Sequence, residues 1–328
     1  MEIKAYIYHK KAEKYSDCQD YFEISTQNNR IAVSDGMSQS IYPQWWAEIL
    51  ADAYIQTGAI PRELAPYQEI WQNKLNGEIQ RRESLGMNPW RLRNAIAEKS
   101  GAGATLCGLT CEADKWTCEC IGDSCLILIN NDFSLNIYTS QEGAFGNNPD
   151  YLDSYTTGRG ELKHFDGSYD GAELMLVATD PFTELFQKHA SEPKFIKQLT
   201  EQLRQLSTHE SFVDLVEQWR TEYQMHNDDS TIVIIDTFES QAFEISHEDY
   251  LSELSRSDER PASQQETVTN KEEVPSNDDT SKNVAVENAQ KAVSELLNEH
   301  YDGKKSINKI FTWLKDFLYP IIKDFLKR

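Results

Sequence analysis

Positive charge is what this sequence has least of. Against 54 Asp and Glu residues stand 32 Lys and Arg, leaving a formal net charge of −22. A chain this acidic does not offer the basic face that neutralises a phosphate backbone, so a general nucleic-acid binder is excluded. Any anionic substrate must be drawn in locally, by a cation or a bound metal. An apolar opening segment is missing as well: Met1–Lys11 is short and mixed. Neither secretion nor a disulfide framework is therefore expected, and a cytoplasmic location is. A standard zinc spacing is also lacking. Five of the six cysteines (Cys18, Cys107, Cys111, Cys118, Cys120 and Cys125) fall between positions 107 and 125, but as C-x3-C and C-x-C. Such spacing fits buried reduced thiols better than a zinc cage.

What is present is enough apolar sequence for one sizeable domain and an appendage. Short β-rich runs, Tyr6–Tyr8, Tyr21–Ser25 and Ile31–Ser34, are separated by polar turns. Trp46, Ile49, Leu50, Ala53 and Tyr54 recur at helical spacing within a helix expected over 43–56. A second helical stretch over 66–99 is broken near Gly86 and Pro89. Residues 104–111 and 116–121 flank the polar turn Glu112-Ala113-Asp114-Lys115, a hairpin signal, and 125–129 with 134–138 make another pair. Leu174–Ala178 and Thr231–Asp236 read as core strands, with helices over 194–206 and 210–224 between them. The reading is one domain over 1–240 and an acidic disordered linker over 241–283 that has too little apolar surface to offset its ordering entropy. A helical tail follows over 284–328. Its last 26 residues carry seven basic and two acidic side chains, with an apolar stripe that includes Ile307, Phe311, Leu314 and Phe317. Pro320 would kink this helix. It could lie on an anionic membrane surface, bind a partner protein, or dock on its own domain; the first would make the protein peripheral to the membrane.

Chemistry concentrates where strands end in aspartate. Ile-Ala-Val-Ser runs into Asp35-Gly36, Cys-Glu-Cys-Ile-Gly into Asp123, Leu-Met-Leu-Val-Ala-Thr into Asp180, and Asp228-Asp229 leads directly into the last strand. Any one such aspartate is an ordinary turn former. Four junctions in one domain supply the fixed carboxylates that a hard divalent cation needs, and Gly36 lets a backbone carbonyl approach an ion unobstructed.

Taken in order, Cys18-Gln19-Asp20, Ser34-Asp35-Gly36-Met37-Ser38, Gly103-Ala104-Thr105, Gly122-Asp123-Ser124-Cys125, Ala178-Thr179-Asp180-Pro181 and Asp228-Asp229-Ser230-Thr231 resemble the motif series of the PPM family. These are the type 2C metal-dependent serine/threonine protein phosphatases, and the resemblance spans about residues 5–236. It implies an α+β fold, two packed and mostly antiparallel β-sheets flanked by helices. It further implies two Mn²⁺ or Mg²⁺ ions with a weaker third. Asp35 would bridge the pair with the Gly36 carbonyl, Asp180 and Asp228 would ligate it, Asp20 would hold a metal-bound water, and Asp123 would belong to the third site. The implied reaction is attack by a metal-activated water on phosphoserine or phosphothreonine of a protein substrate, opposing a serine/threonine kinase. Pro181 and Cys125 replace the family's usual glycine and arginine. The phosphate-binding arginine often found before the first aspartate is absent from His9-Lys10-Lys11-Ala12-Glu13-Lys14-Tyr15, where Lys14 or Lys11 could supply the charge, Lys14 being the catalytic candidate. The rival reading is a pseudophosphatase that keeps the fold as a binding module; intact Asp35, Asp180 and Asp228 disfavour it. The acidic surface disfavours a two-metal nuclease.

Overall fold

The computed structural model describes residues 1–141, 149–236 and 243–258, all within a compact unit that spans Met1–Gln264. The elements in chain order begin with strands β1 (Glu2–Tyr8), β2 (Tyr21–Ser25) and β3 (Arg30–Ser34), then helices α1 (Pro43–Thr57), α2 (Ala65–Ser84) and α3 (Trp90–Glu98). Strands β4 (Gly103–Ala104), β5 (Leu106–Cys111), β6 (Lys115–Ile121), β7 (Cys125–Asn130), β8 (Leu135–Tyr138), β9 (Leu152–Asp153), β10 (Lys163–Ser168) and β11 (Ala172–Ala178) follow. Helices α4 (Asp180–Lys188), α5 (Pro193–Arg204) and α6 (His209–Glu222), strands β12 (Ser230–Asp236) and β13 (Glu244–Glu248), and helix α7 (Leu251–Asp258) complete the unit.

A six-stranded sheet runs β13-β1-β12-β11-β7-β8 and a five-stranded sheet runs β10-β6-β5-β3-β2. Every pairing in them is antiparallel except β1 with β13. Strand alternation explains the layers. Val233 and Ile235 of β12 point into the cluster shared by the two sheets, together with Ile3, Ile7, Val33, Leu109, Cys118, Leu126 and Val177. Ile232 and Ile234 of the same strand point the other way, onto Phe182, Leu199, Phe212 and Trp219 of α4, α5 and α6. On the far face of the second sheet, Ala32 and Leu106 meet Trp46, Leu50, Trp71 and Leu92 of α1, α2 and α3. The result is the expected α-β-β-α sandwich. Its central strands read as continuous apolar runs because both faces are covered.

Two departures from the sequence reading matter for function. First, a helix begins immediately at Asp180, where only a strand end was expected. Pro181 sits in the first turn of α4, where its missing N–H and fixed φ are harmless. A proline can therefore stand where the family series has glycine. Second, the folded unit continues past the boundary expected near 240. Glu244–Glu248 pairs in parallel with Glu2–Ala5, and α7 follows to Asp258. A short apolar-poor strand such as Glu-Ile-Ser-His-Glu gives little periodicity to read. The remainder of the expected linker and the basic tail helix lie outside the described residues. Among the described residues no helix is long and apolar enough to cross a membrane.

Candidate metal centre

The acidic junctions converge because the two sheets present their strand ends side by side. Asp35 leaves β3, and Thr105 fixes it from two directions. The Thr105 N–H donates to the Asp35 carbonyl at 2.9 Å, and the Thr105 Oγ1 accepts the Asp35 N–H at 3.2 Å. That same hydroxyl lies 2.6 Å from Ser124 Oγ, and Ser34 Oγ donates to the Thr105 carbonyl at 2.6 Å. The Gly-Ala-Thr and Gly-Asp-Ser segments thus form one hydrogen-bonded brace between Asp35 and Asp123. Gly36 is required by space: a Cβ there would lie 2.7 Å from the Gln19 carbonyl oxygen and 2.8 Å from Pro43 Cβ. Gly122 is required by conformation, with φ +92°, and turns the chain from β6 into Asp123.

Thr179, the residue before α4, links the other half. Its hydroxyl donates to Asp20 Oδ2 at 3.1 Å and accepts the Thr231 N–H at 3.0 Å. Asp180 occupies the first turn of α4, where the helix dipole favours an anion. Asp228 and Asp229 divide their work. Asp229 is buried and accepts the Lys10 N–H at 2.9 Å and the Gln19 N–H at 2.7 Å, clamping both ends of the loop between β1 and Asp20. Asp228 is more open, and its Oδ1 pairs with Lys10 Nζ at 3.5 Å.

The electrostatics are those of carboxylates short of cations. Burial, reinforced by Asp229, holds the Asp20 carboxyl well above the usual range. Burial does the same for Asp35, with Asp20, Asp180 and Asp123 adding repulsion. Asp123 is pushed to about 7 by burial and then by Asp180. Burial raises Asp180 although His226 opposes it. Two of the oxygens, Asp20 Oδ1 and Asp123 Oδ1, are buried with no hydrogen-bond partner among the described residues. Orphaned acceptors of this kind are costly and rare. Carboxylates with bare lone pairs, beside a glycine that keeps side-chain atoms away, form a donor set that fits hard, oxygen-seeking divalent ions.

Reasoning from sequence missed several participants. His226 Nδ1 lies 3.7 Å from Asp180 Oδ2, and the interaction with Asp180 raises the imidazole pKa. Asp180, Glu184 and His226 offer donor atoms all within 4.8 Å of one another, a tighter grouping than the aspartates make among themselves. Glu184 follows Asp180 by one helical turn, a spacing visible once α4 is known to start at Asp180. Arg220, almost fully buried, donates to the Asp228 carbonyl at 2.7 Å and to Ser230 Oγ at 3.1 Å, which fixes the Asp228 turn. Lys14 stands exposed ahead of a 3-10 turn over Tyr15–Asp17. Lys10 is the lysine at the carboxylates: its pKa is raised because Asp228, Asp229 and Glu13 outweigh burial. The six cysteines are free and buried, as expected. The Sγ atoms of Cys107, Cys118 and Cys120 lie 3.4–3.7 Å apart in the apolar layer between the sheets.

No protein-family model matches the sequence, and no curated protein matches it. Solved structures do. The serine/threonine phosphatase Stp1 from Staphylococcus aureus is 14% identical at a TM-score of 0.46, covering 71% of this chain and 94% of that one. The S. agalactiae serine/threonine phosphatase is 14% identical at a TM-score of 0.45, covering 71% and 97%. The catalytic domain of the serine/threonine protein phosphatase PstP, solved in complex with two manganese ions, is 14% identical at 0.42, covering 71% and 96%. These three structural neighbours are serine/threonine phosphatases.

Proposed function

We propose that this chain is a metal-dependent phosphomonoesterase acting on phosphoserine or phosphothreonine of protein substrates. One observation carries the reading: aspartates from five separate junctions meet at one end of the sandwich, and two of them, Asp20 and Asp123, keep a buried carboxylate oxygen that no described residue satisfies. Asp35, the Gly36 carbonyl, Asp180 and Asp228 would hold a pair of Mn²⁺ or Mg²⁺ ions. Asp20 would hold a water of their shells, and Asp123 would serve a third site. Bound ions would supply an acidified water as nucleophile and would offset charge on the transferring phosphoryl group.

The protein's own part is to fix and to attract. Thr105 fixes the Asp35 backbone and Thr179 holds the Asp20 carboxylate before any ion arrives, so little reorganisation is left to the reaction. Glu184 and His226 surround Asp180 and limit where its carboxylate can turn. Lys10 supplies the positive charge for an incoming phosphate. It is held by Asp228, Glu13 at 3.6 Å and Ser38 Oγ at 3.5 Å, loose contacts that an anion can replace. A lysine there is a point charge without the planar fork of arginine, so phosphate would be held less directionally. The natural opponent of such an enzyme is a serine/threonine kinase.

The decisive measurement is hydrolysis of p-nitrophenyl phosphate and of a phosphopeptide with added Mn²⁺, with and without EDTA. Turnover that ignores EDTA and survives Asp35→Asn would sink the metal mechanism. Ion binding without turnover on either substrate would instead favour a module that keeps the site for binding alone.

A further inference from the structure

The last described segment, β13 with α7, does more than extend a sheet. Strand β13 follows β1 only as far as Ala5. Beyond that point Asp249 continues the ladder by itself: its N–H donates to the Ala5 carbonyl at 3.0 Å, and its Oδ2 accepts the Ile7 N–H at 3.0 Å. The carboxylate is almost completely buried and has further partners. His209 Nδ1 lies 2.8 Å from Oδ2 and His247 Nε2 lies 2.9 Å from Oδ1. An ionised carboxylate only accepts, so His209 must carry its proton on Nδ1. In the neutral ring Nε2 then accepts from the Tyr15 hydroxyl, 2.6 Å away.

Tyr15 opens the 3-10 turn in the loop between β1 and Asp20, and the His9 ring stands edge-on to it at 4.6 Å. The same turn is held from α7, where Asp258 Oδ2 accepts the Ser16 N–H at 3.1 Å. The loop that carries Lys10 is therefore held from several elements, Asn227 Oδ1 also accepting the Lys11 N–H at 2.9 Å and Arg220 reaching the His9 carbonyl at 3.4 Å. Asp229 takes its ends, and the β13–α7 segment takes its middle.

We propose that β13–α7 is a positioning strap: Asp249, acting through His209 and Tyr15, fixes the loop from His9 to Gln19 and so places the Lys10 ammonium for an incoming phosphate. The placement of phosphate rests on the phosphatase reading; the fixing of the loop does not. Tyr15 and Asp249 are positioning residues, since neither touches the carboxylate site.

The test uses the full chain. Tyr15→Phe removes one hydroxyl and keeps the ring, so folding is preserved, and Asp249→Asn keeps the shape while weakening both histidine contacts. With Mn²⁺ and p-nitrophenyl phosphate, Tyr15→Phe should raise KM and the inhibition constant of inorganic phosphate by about threefold to tenfold, leaving kcat within about twofold. Lys10→Ala should raise both constants by about tenfold or more, and adding Tyr15→Phe to it should add nothing, because both changes remove the same placed charge. Amide exchange of residues 11–18 should quicken in Tyr15→Phe and Asp249→Asn while that of β3 stays unchanged. Effects of Tyr15→Phe and Lys10→Ala that multiply, or loop exchange that does not change in either strap variant, would overturn the proposal. If the wild type neither hydrolyses nor binds phosphate, the phosphatase reading and the phosphate half of this proposal fall together. The exchange experiment would still decide whether the strap fixes the loop.

Discussion

Asp249 and the acidic-site aspartates both bear on one short loop, and they differ in how their carboxylates are satisfied. Asp249 has its carboxylate fully occupied by a backbone N–H and two imidazoles. Asp20 and Asp123 each keep a buried oxygen with no hydrogen-bond partner among the described residues. A buried acceptor left unmatched costs on the order of 1–3 kcal/mol, more when charged. Folding alone would select against the second arrangement and favour the first. The difference separates a carboxylate whose oxygens hold the structure from one with an oxygen that no described residue engages.

Breaking the acidic site should produce the largest effect. Asp35→Asn or Asp180→Asn should lower Mn²⁺-dependent hydrolysis by on the order of 10³-fold or more, since metal assistance contributes several kcal/mol to the transition state. In metal-free protein the same changes should raise the midpoint of thermal unfolding, because each removes a charge from a mutually repelling group. Opposite signs for activity and metal-free stability are the signature to look for by kinetics and calorimetry. Destabilisation in both would place Asp35 with Asp249 as a structural residue.

Asp249→Ala should behave in the reverse sense. It leaves the Ile7 N–H and two imidazoles without their acceptor, and should cost about 2–4 kcal/mol in urea unfolding. Its effect on kcat should be small beside that of Asp35→Asn.

How legible each set is in the sequence follows from the same contrast. Strand ends, Asp-Gly and the order of the motifs are local signals, so the sequence alone names Asp20, Asp35, Asp123, Asp180 and Asp228. The sandwich is readable because β12 and β11 are uninterrupted apolar runs and α1 has an apolar stripe. Asp249 gives no such signal, because its role depends on partners 242 and 40 residues away in sequence. Lys10 and Lys14 are indistinguishable as members of one basic stretch, and only the folded loop, clamped at the Lys10 N–H by Asp229, brings one ammonium to the carboxylates. Glu184 and His226 are hidden for a different reason. Glu184 meets Asp180 because α4 starts at Asp180, whereas His226 reaches it from the segment before β12, 46 residues on, a contact that only the tertiary fold makes.

pH should sharpen the comparison further. Asp123 titrates near 7 in the folded protein, above its ordinary carboxylate value, and Asp20 and Asp35 are shifted upward too. A native state that binds protons more tightly than the unfolded chain loses stability as pH rises through that interval. Metal-free protein should therefore become less stable from about pH 4 to pH 7, and Asp123→Asn should flatten part of that slope. Mn²⁺ competes with these protons, so its stabilising effect should grow over the same range. Thermal scans at pH 5 and pH 7, with and without Mn²⁺, measure both trends. A metal-free stability that climbs steadily from pH 4 to 7 would mean that the carboxylates are already satisfied within the protein.

The smallest predicted effect separates the two lysines of the loop. Lys10 has its ammonium 3.5 Å from Asp228, and its side chain is 20% exposed. Lys14 is exposed, and its backbone carbonyl accepts the Asp17 N–H at 2.9 Å without calling on the side chain. A charge in open solvent is hydrated and screened within about 8–10 Å, so its loss changes phosphate affinity little. Lys14→Ala should thus shift KM by less than about twofold, against about tenfold for Lys10→Ala, and raising the salt concentration should erase what remains of the Lys14 effect first. Equal losses from the two substitutions would show that the loop attracts phosphate through its summed charge. The clamp by Asp229 and the strap through Tyr15 would then fix a shape whose exact placement of Lys10 is not what the substrate reads.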